Sequence, residues 1–119
     1  MPEIHERLQN VSVENLDALE CIKKYAHSNS LVYCDPPYVW STRTERVAYG
    51  HECTDEYHEQ LVTTLLAAPG HRILSGYESA IYQPLLDAGW KREEKQYTCS
   101  MAPGKNNRIE CLYCSPINP

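Results

Sequence analysis

Residues Leu31, Val32, Tyr33, Cys34, Asp35, Pro36, Pro37 and Tyr38 form a short apolar run that stops abruptly in an acid, two prolines and an aromatic ring. The first four suit a buried strand, and neither proline can donate to a sheet ladder, so the strand must end at Asp35. That places the acid at a strand's carboxyl end. In open α/β sheets this is the edge where ligands bind, because the loops leaving it form the crevice. The prolines fix φ at consecutive positions and hold the backbone extended, which keeps the Asp35 carboxylate, the neighbouring carbonyls and the Tyr38 ring in a set relation. Rigid acceptors beside a rigid ring suit the recognition of a ligand. A plain proline turn closing a strand is the alternative.

Outward from this stretch, the sequence reads as strand and helix in alternation. Residues 11–13 alternate like a short strand, and Asn15 or Asp17 can cap residues 18–25 as a helix. Ser28, Asn29 and Ser30 then make the loop into the 31–35 strand, the order expected of a parallel sheet. Residues 39–52 have little periodicity and carry Trp40, Arg43, Arg46, Tyr49 and His51, which predicts a long loop able to act as a lid. A helix starts at Thr54, places Leu61, Val62, Leu65 and Leu66 at helical spacing, and stops at Pro69 and Gly70. His58 falls on it, where a hydrogen-bonded or exposed role is expected rather than a catalytic one. Residues 71–75 read as the next strand, turning at Gly76, so Ser75 and Gly76 face the crevice of Asp35. Residues 78–88 read as a helix closed by Gly89. Residues 90–101 and 109–114 read as a hairpin joined by a turn-rich loop at 102–107, and the tail, 115–119, is expected not to extend the sheet.

Composition sets bounds on function. A chain of 119 residues with 42% hydrophobic and 23% charged content fits one globular domain. No apolar stretch approaches the roughly 20 residues of a membrane span, and the first residues lack the order of a signal peptide, so a cytoplasmic protein with no membrane contact is expected. The net charge of −5 argues against DNA binding by this chain unaided. Local relief comes from Arg43 and Arg46 after the acid-proline stretch, which are candidates for DNA contact, and from Lys91, Arg92, Lys95, Lys105 and Arg108. The six cysteines read as reduced thiols. Cys111 and Cys114 would lie on a strand, where residues three apart point to opposite faces, so no metal site is expected.

The Asp35, Pro36, Pro37 and Tyr38 tetrapeptide resembles the hallmark of the Dam-type DNA adenine methyltransferases. The likeness continues through residues 11–15 with Asp17, residues 57–61, and residues 108–113. It does not reach the family's Gly-rich cofactor loop or its DNA-recognition segment, and the sequence contains no Phe from which a Phe-x-Gly-x-Gly pattern could be made. The resemblance implies an α/β three-layer sandwich, a partial S-adenosylmethionine-dependent methyltransferase (Rossmann-like) sheet with the motif strand central and a terminal antiparallel hairpin. Residues 1–119 would be one domain, the carboxyl-terminal part of a catalytic domain.

The implied activity is methyl transfer from S-adenosylmethionine to the exocyclic amino group of a flipped adenine in double-stranded DNA, as in restriction-modification. By the same resemblance Asp35, Pro36, Pro37 and Tyr38 are catalytic. Asp35, Asn15 and Asp17 lie near the cofactor, although capping explains Asn15 or Asp17 without any ligand. Tyr38, Arg43, Arg46 and Ser75 are assigned to the substrate. Methylation of a cytosine amino group or a glutamine amide is the enzymatic alternative. A reading of another class is an inactive remnant or a subunit of a split methyltransferase. With the Gly-rich part missing, the motif strand should have an exposed side. It would be covered by residues 11–13 pairing locally, by a second copy as a homodimer, or by a separate polypeptide carrying the Gly-rich half.

Overall fold

The computed structural model describes residues 2–39, 54–98 and 107–117. Its elements are α1 (Pro2–Leu8), α2 (Ala18–Tyr25), β1 (Leu31–Cys34), α3 (Asp55–Ala67), β2 (His71–Tyr77), a 3-10 turn (Ala80–Tyr82), α4 (Gln83–Asp87), β3 (Lys91–Thr98) and β4 (Asn107–Cys114). The long loop expected after the motif, with Arg43 and Arg46, and the hairpin connection at 102–106 lie outside the described residues.

The sheet has the order β1-β2-β4-β3. β1 and β2 are parallel, with Cys34 level with Leu74, whereas β4 runs antiparallel to both β2 and β3. The terminal hairpin is therefore as expected, but the motif strand is not central: β1 stands at the sheet's edge, paired only with β2 among the described residues. Residues 11–13 form no strand there. Val11 and Val13 are exposed, and the next residue, Glu14, is held along α2 by the Tyr25 hydroxyl and by Lys24 Nζ at 3.6 Å. With only residues 14–17 joining this arm to α2, those contacts keep it on the helix rather than beside β1.

Helix boundaries follow local chemistry. Asp17 caps α2, its Oδ2 accepting from the Leu19 N–H at 3.1 Å. Thr54 caps α3, its Oγ1 accepting from the Tyr57 N–H at 3.1 Å. The expected 78–88 helix is instead a 3-10 turn followed by α4, because Pro84 has no N–H and is tolerated only in a first turn, where it sits. Ser79 starts the 3-10 turn by accepting from the Ile81 N–H at 3.2 Å. No feature singled out in the sequence foretold α1, which buries none of its residues.

One face of the sheet is covered. Ile22 from α2 and Leu61, Val62 and Leu65 from α3 pack with Leu74, Cys111 and Tyr113 of the strands and with Tyr82, Leu85 and Trp90, all at most 6% exposed. Burying each large aliphatic side chain contributes about 2 kcal/mol. Arg72 of β2 clamps the carboxyl end of α3: its guanidinium donates to the Leu65 carbonyl at 2.5 Å and the Gly70 carbonyl at 3.0 Å, and lies 5.1 Å from the Trp90 ring centre. Its backbone N–H donates to Ser115 Oγ and its carbonyl accepts from the Ser115 N–H, both at 2.9 Å. The tail is thus tied to β2 through Ser115, while β4 itself ends at Cys114, in line with the expectation that the tail does not extend the sheet.

The opposite face carries Leu31, Tyr33, Ile73, Ser75, Leu112 and Cys114, by the two-residue alternation of the strands. Among the described residues no helix lies on it, and Leu31 is 64% and Tyr33 57% exposed. The described chain is a two-layer α/β arrangement rather than the expected three-layer sandwich. Cys111 is buried in the core whereas Cys114 lines a groove on this other face, so the pair does not converge on one ion.

Burial pushes the Cys34 thiol up from 9.0 to about 11. Burial, and then the neighbouring Cys111, pushes the Tyr113 phenol up from 10.0 to about 12. Both groups are held neutral in the folded chain at a pH where the unfolded chain ionises. The stability they contribute is complete below about pH 9 and is lost as the pH rises through these folded values. The melting temperature is expected to fall steadily above pH 9, and a constant value up to pH 11 would contradict this linkage.

Candidate base-binding site

The site is built at the carboxyl end of β1 and β2. Asp35 is the first residue past β1, one beyond the Cys34–Leu74 pair, and is exposed. Pro36, Pro37 and Tyr38 are half-buried, and Val39 drops into the core at 2% exposure. The extended segment set by the prolines is therefore anchored at both ends, by the ladder before Asp35 and by Val39 after Tyr38.

Tyr38 is fixed further by a residue that sequence reasoning missed. β2 continues past Ser75 to Tyr77, and the Tyr38 and Tyr77 rings stack with centroids 3.9 Å apart and planes 19° from parallel. The Tyr38 phenol is raised well above its ordinary value, first by burial, then by a hydrogen bond and the charge of Tyr77, and then by the Glu110 and Asp35 carboxylates. The motif ring is thus a neutral, braced surface with two acids nearby. Glu110 is level with Tyr77 across the β2–β4 pairing.

Gly76 was expected to turn the chain but lies inside β2. A Cβ there would meet the Tyr82 ring at 3.2 Å, so the missing side chain admits that ring to the core instead. Extending the alternation from Ser75 by two residues would have put Tyr77 at the site. The expected turn at Gly76 hid it.

Ser75 is 4% exposed and lines a cavity of about 270 Å³ on the uncovered face, with Tyr33, Glu93, Lys95, Glu110 and Leu112. Asp17 and Asn15 are exposed. Asp17 is engaged by two donors, since its Oδ2 caps α2 and its Oδ1 accepts from the Tyr57 hydroxyl at 2.7 Å. This contact ties the starts of α2 and α3 together. His58 is fully buried on α3, and its Nδ1 lies 2.9 Å from the Tyr82 hydroxyl, as a structural histidine would.

The residues expected near a nucleoside sulfonium, Asn15, Asp17 and Asp35, all keep exposed side chains. Asp17 is engaged by the Leu19 N–H and the Tyr57 hydroxyl, and a groove of about 540 Å³ lies at the other end of the strands, where His71, Arg72 and Lys91 line it without any carboxylate. Among the described residues no group of three or more His, Cys, Asp or Glu is placed to hold a metal ion. No described helix is long and apolar enough to cross a membrane.

The strand-end Asp-Pro-Pro-Tyr segment presents an exposed carboxylate beside a braced aromatic ring, and comparison with known proteins bears on its role. No curated protein and no solved structure matches the chain. The family model described as D12 class N6 adenine-specific DNA methyltransferase matches residues 1–99, which span every element through β3. The chain belongs to the D12 class N6 adenine-specific DNA methyltransferases.

Proposed function

We propose that residues 31–38 form the base-holding half of a DNA adenine methyltransferase site, acting on an adenine flipped out of double-stranded DNA. The observation that carries this reading is the strand-end tetrapeptide, whose acid is exposed and whose ring is held in place. Adenine's amino nitrogen is a poor nucleophile because its lone pair is spread into the ring. If Asp35 and a carbonyl of Pro36 or Pro37 accept hydrogen bonds from the two amino hydrogens, the nitrogen becomes more tetrahedral and its lone pair points out of the ring plane. Tyr38 supplies an aromatic face for the base, and such stacking is worth about 1–3 kcal/mol, which offsets much of the cost of unstacking. S-adenosylmethionine would supply the electrophilic methyl group. The sequence contains no Phe from which the family's Phe-x-Gly-x-Gly pattern could be made.

Among the described residues β1 has a partner on one side alone and one sheet face carries no helix, which favours a form in which further polypeptide completes the sheet. This keeps a subunit of a split methyltransferase in view, with either a Gly-rich partner or a second copy as the covering element. Two measurements test the reading. Calorimetric titration of these 119 residues with S-adenosylmethionine is expected to show no low-micromolar binding, and such binding would mean that they build a donor site themselves. Supplied with a Gly-rich half from the family, the chain is expected to place labelled methyl groups on adenine N6 in duplex DNA. Absence of N6-methyladenine from a reaction whose added half binds the donor would overturn the assignment.

A further inference from the structure

We infer that Tyr77 is a positioning residue for the base: it holds the Tyr38 ring in the orientation on which adenine stacks. The inference rests on the base-holding reading above and adds to it a residue outside the tetrapeptide. Tyr38 follows two prolines, so its backbone is stiff, but proline does not fix the side-chain torsions of the next residue. An unbraced tyrosine at a crevice rim would visit several rotamers, and a base arriving there would have to order the ring as well as itself. In this molecule that ordering is already done. The Tyr77 ring lies 3.9 Å from Tyr38 and 19° from parallel, and the two side chains share a hydrogen bond. Tyr77 is itself held by β2, a strand paired on both sides, and is level with Glu110 of β4. A base stacking on Tyr38 then extends two aligned rings to three.

The hydroxyl and the ring of Tyr77 are separable. Tyr77→Phe keeps the stack and removes the hydroxyl link, whereas Tyr77→Leu keeps an apolar, strand-compatible side chain and removes the stack. The probe is 2-aminopurine deoxyriboside, an uncharged adenine isomer whose fluorescence is quenched by stacking, so the chain's net negative charge does not oppose it. Quenching is expected with the unaltered chain and with Tyr77→Phe, within two-fold in affinity, and roughly five-fold weaker binding is expected with Tyr77→Leu. Tyr38→Ala should remove it. Ring proton shifts of Tyr38 in a tyrosine-labelled chain should move on Tyr77→Leu, while circular dichroism shows the fold retained.

If Tyr77→Leu binds the probe as tightly as the unaltered chain while Tyr38→Ala does not bind, Tyr77 has no positioning role although the base-holding reading stands. If Tyr38→Ala quenches as well as the unaltered chain, or no form quenches, Tyr38 is no stacking surface. Both the reading and the role of Tyr77 then fall. Should Tyr77→Leu unfold, Tyr77→Phe decides: binding within two-fold with the Tyr38 ring shifts unmoved supports the stacked ring as the brace, whereas a folded Tyr77→Phe that binds more than five-fold more weakly would assign the effect to the hydroxyl and overturn the inference.

Discussion

Asp35→Ala is expected to reduce methyl transfer to adenine by about 10²–10³-fold or more when the chain works with a donor-binding half, while leaving the melting temperature nearly unchanged. The two effects separate because Asp35 is exposed, sits beyond the last residue of β1 and belongs to no part of the core. Its carboxylate is assigned to the amino group of the base. Without it, that nitrogen loses a charged acceptor and its lone pair stays in the ring. Asp35→Asn retains one acceptor oxygen but no charge and should fall between the two. The assay is incorporation of labelled methyl into adenine N6, run beside thermal unfolding of each variant. Retention of full activity by Asp35→Ala would end the assignment of this acid to the chemistry.

Gly70→Ala is expected to have the largest effect on the fold, about 3–5 kcal/mol. Gly70 follows the end of α3 with φ of +83°, and a Cβ there would stand 2.4 Å from the His27 carbonyl oxygen and 2.7 Å from that of Ser30. Both are backbone atoms of a turn that has little freedom to yield. The Ser30 N–H donates to the His27 carbonyl at 3.0 Å, Ser30 Oγ bonds the same residue twice, and the Ser30 carbonyl accepts from the His71 N–H at 2.9 Å. Moving this turn would pull apart the starts of β1 and β2. For a domain of this size the loss corresponds to a fall of roughly 15 °C or more in melting temperature. Gly89→Ala is the control: φ is +94°, but the nearest atom to a Cβ is Pro116 Cγ at 3.8 Å, so only backbone strain of about 1–2 kcal/mol remains. Equal melting temperatures for the two variants would show that the turn gives way easily.

The parts of this fold that were legible in the sequence are those set by local chemistry. The 18–25 helix with Asp17 at its cap, the stop at Pro69 and Gly70, and the end of the motif strand at Asp35 all follow from residues within a turn of the boundary. The misread parts depend on partners distant in sequence. Residues 11–13 alternate as a strand would, but alternation names no neighbour, and Tyr25 and Lys24 hold the adjoining Glu14 elsewhere. Gly76 looked like a turn because the Tyr82 ring it accommodates arrives from the next element. The same misjudgement shortened β2 and concealed Tyr77, although the tetrapeptide itself needed no tertiary information to be found. Arg43 and Arg46 lie outside the described residues, and their assignment to DNA remains a proposal.

The edge position of β1 has a consequence for self-association. Leu31, Val32, Tyr33 and Cys34 are uncharged, favour extended backbone and, among the described residues, have a strand partner on one side alone, the combination that recruits further strands into intermolecular ladders. Dry zippers between such segments generally need six or seven consecutive residues. Here the ladder can grow to only four before it meets a carboxylate and two residues without N–H groups. The residues assigned to hold the base therefore also act as gatekeepers, so that replacing Pro36 and Pro37 would lengthen an aggregation-prone edge as well as loosen the site.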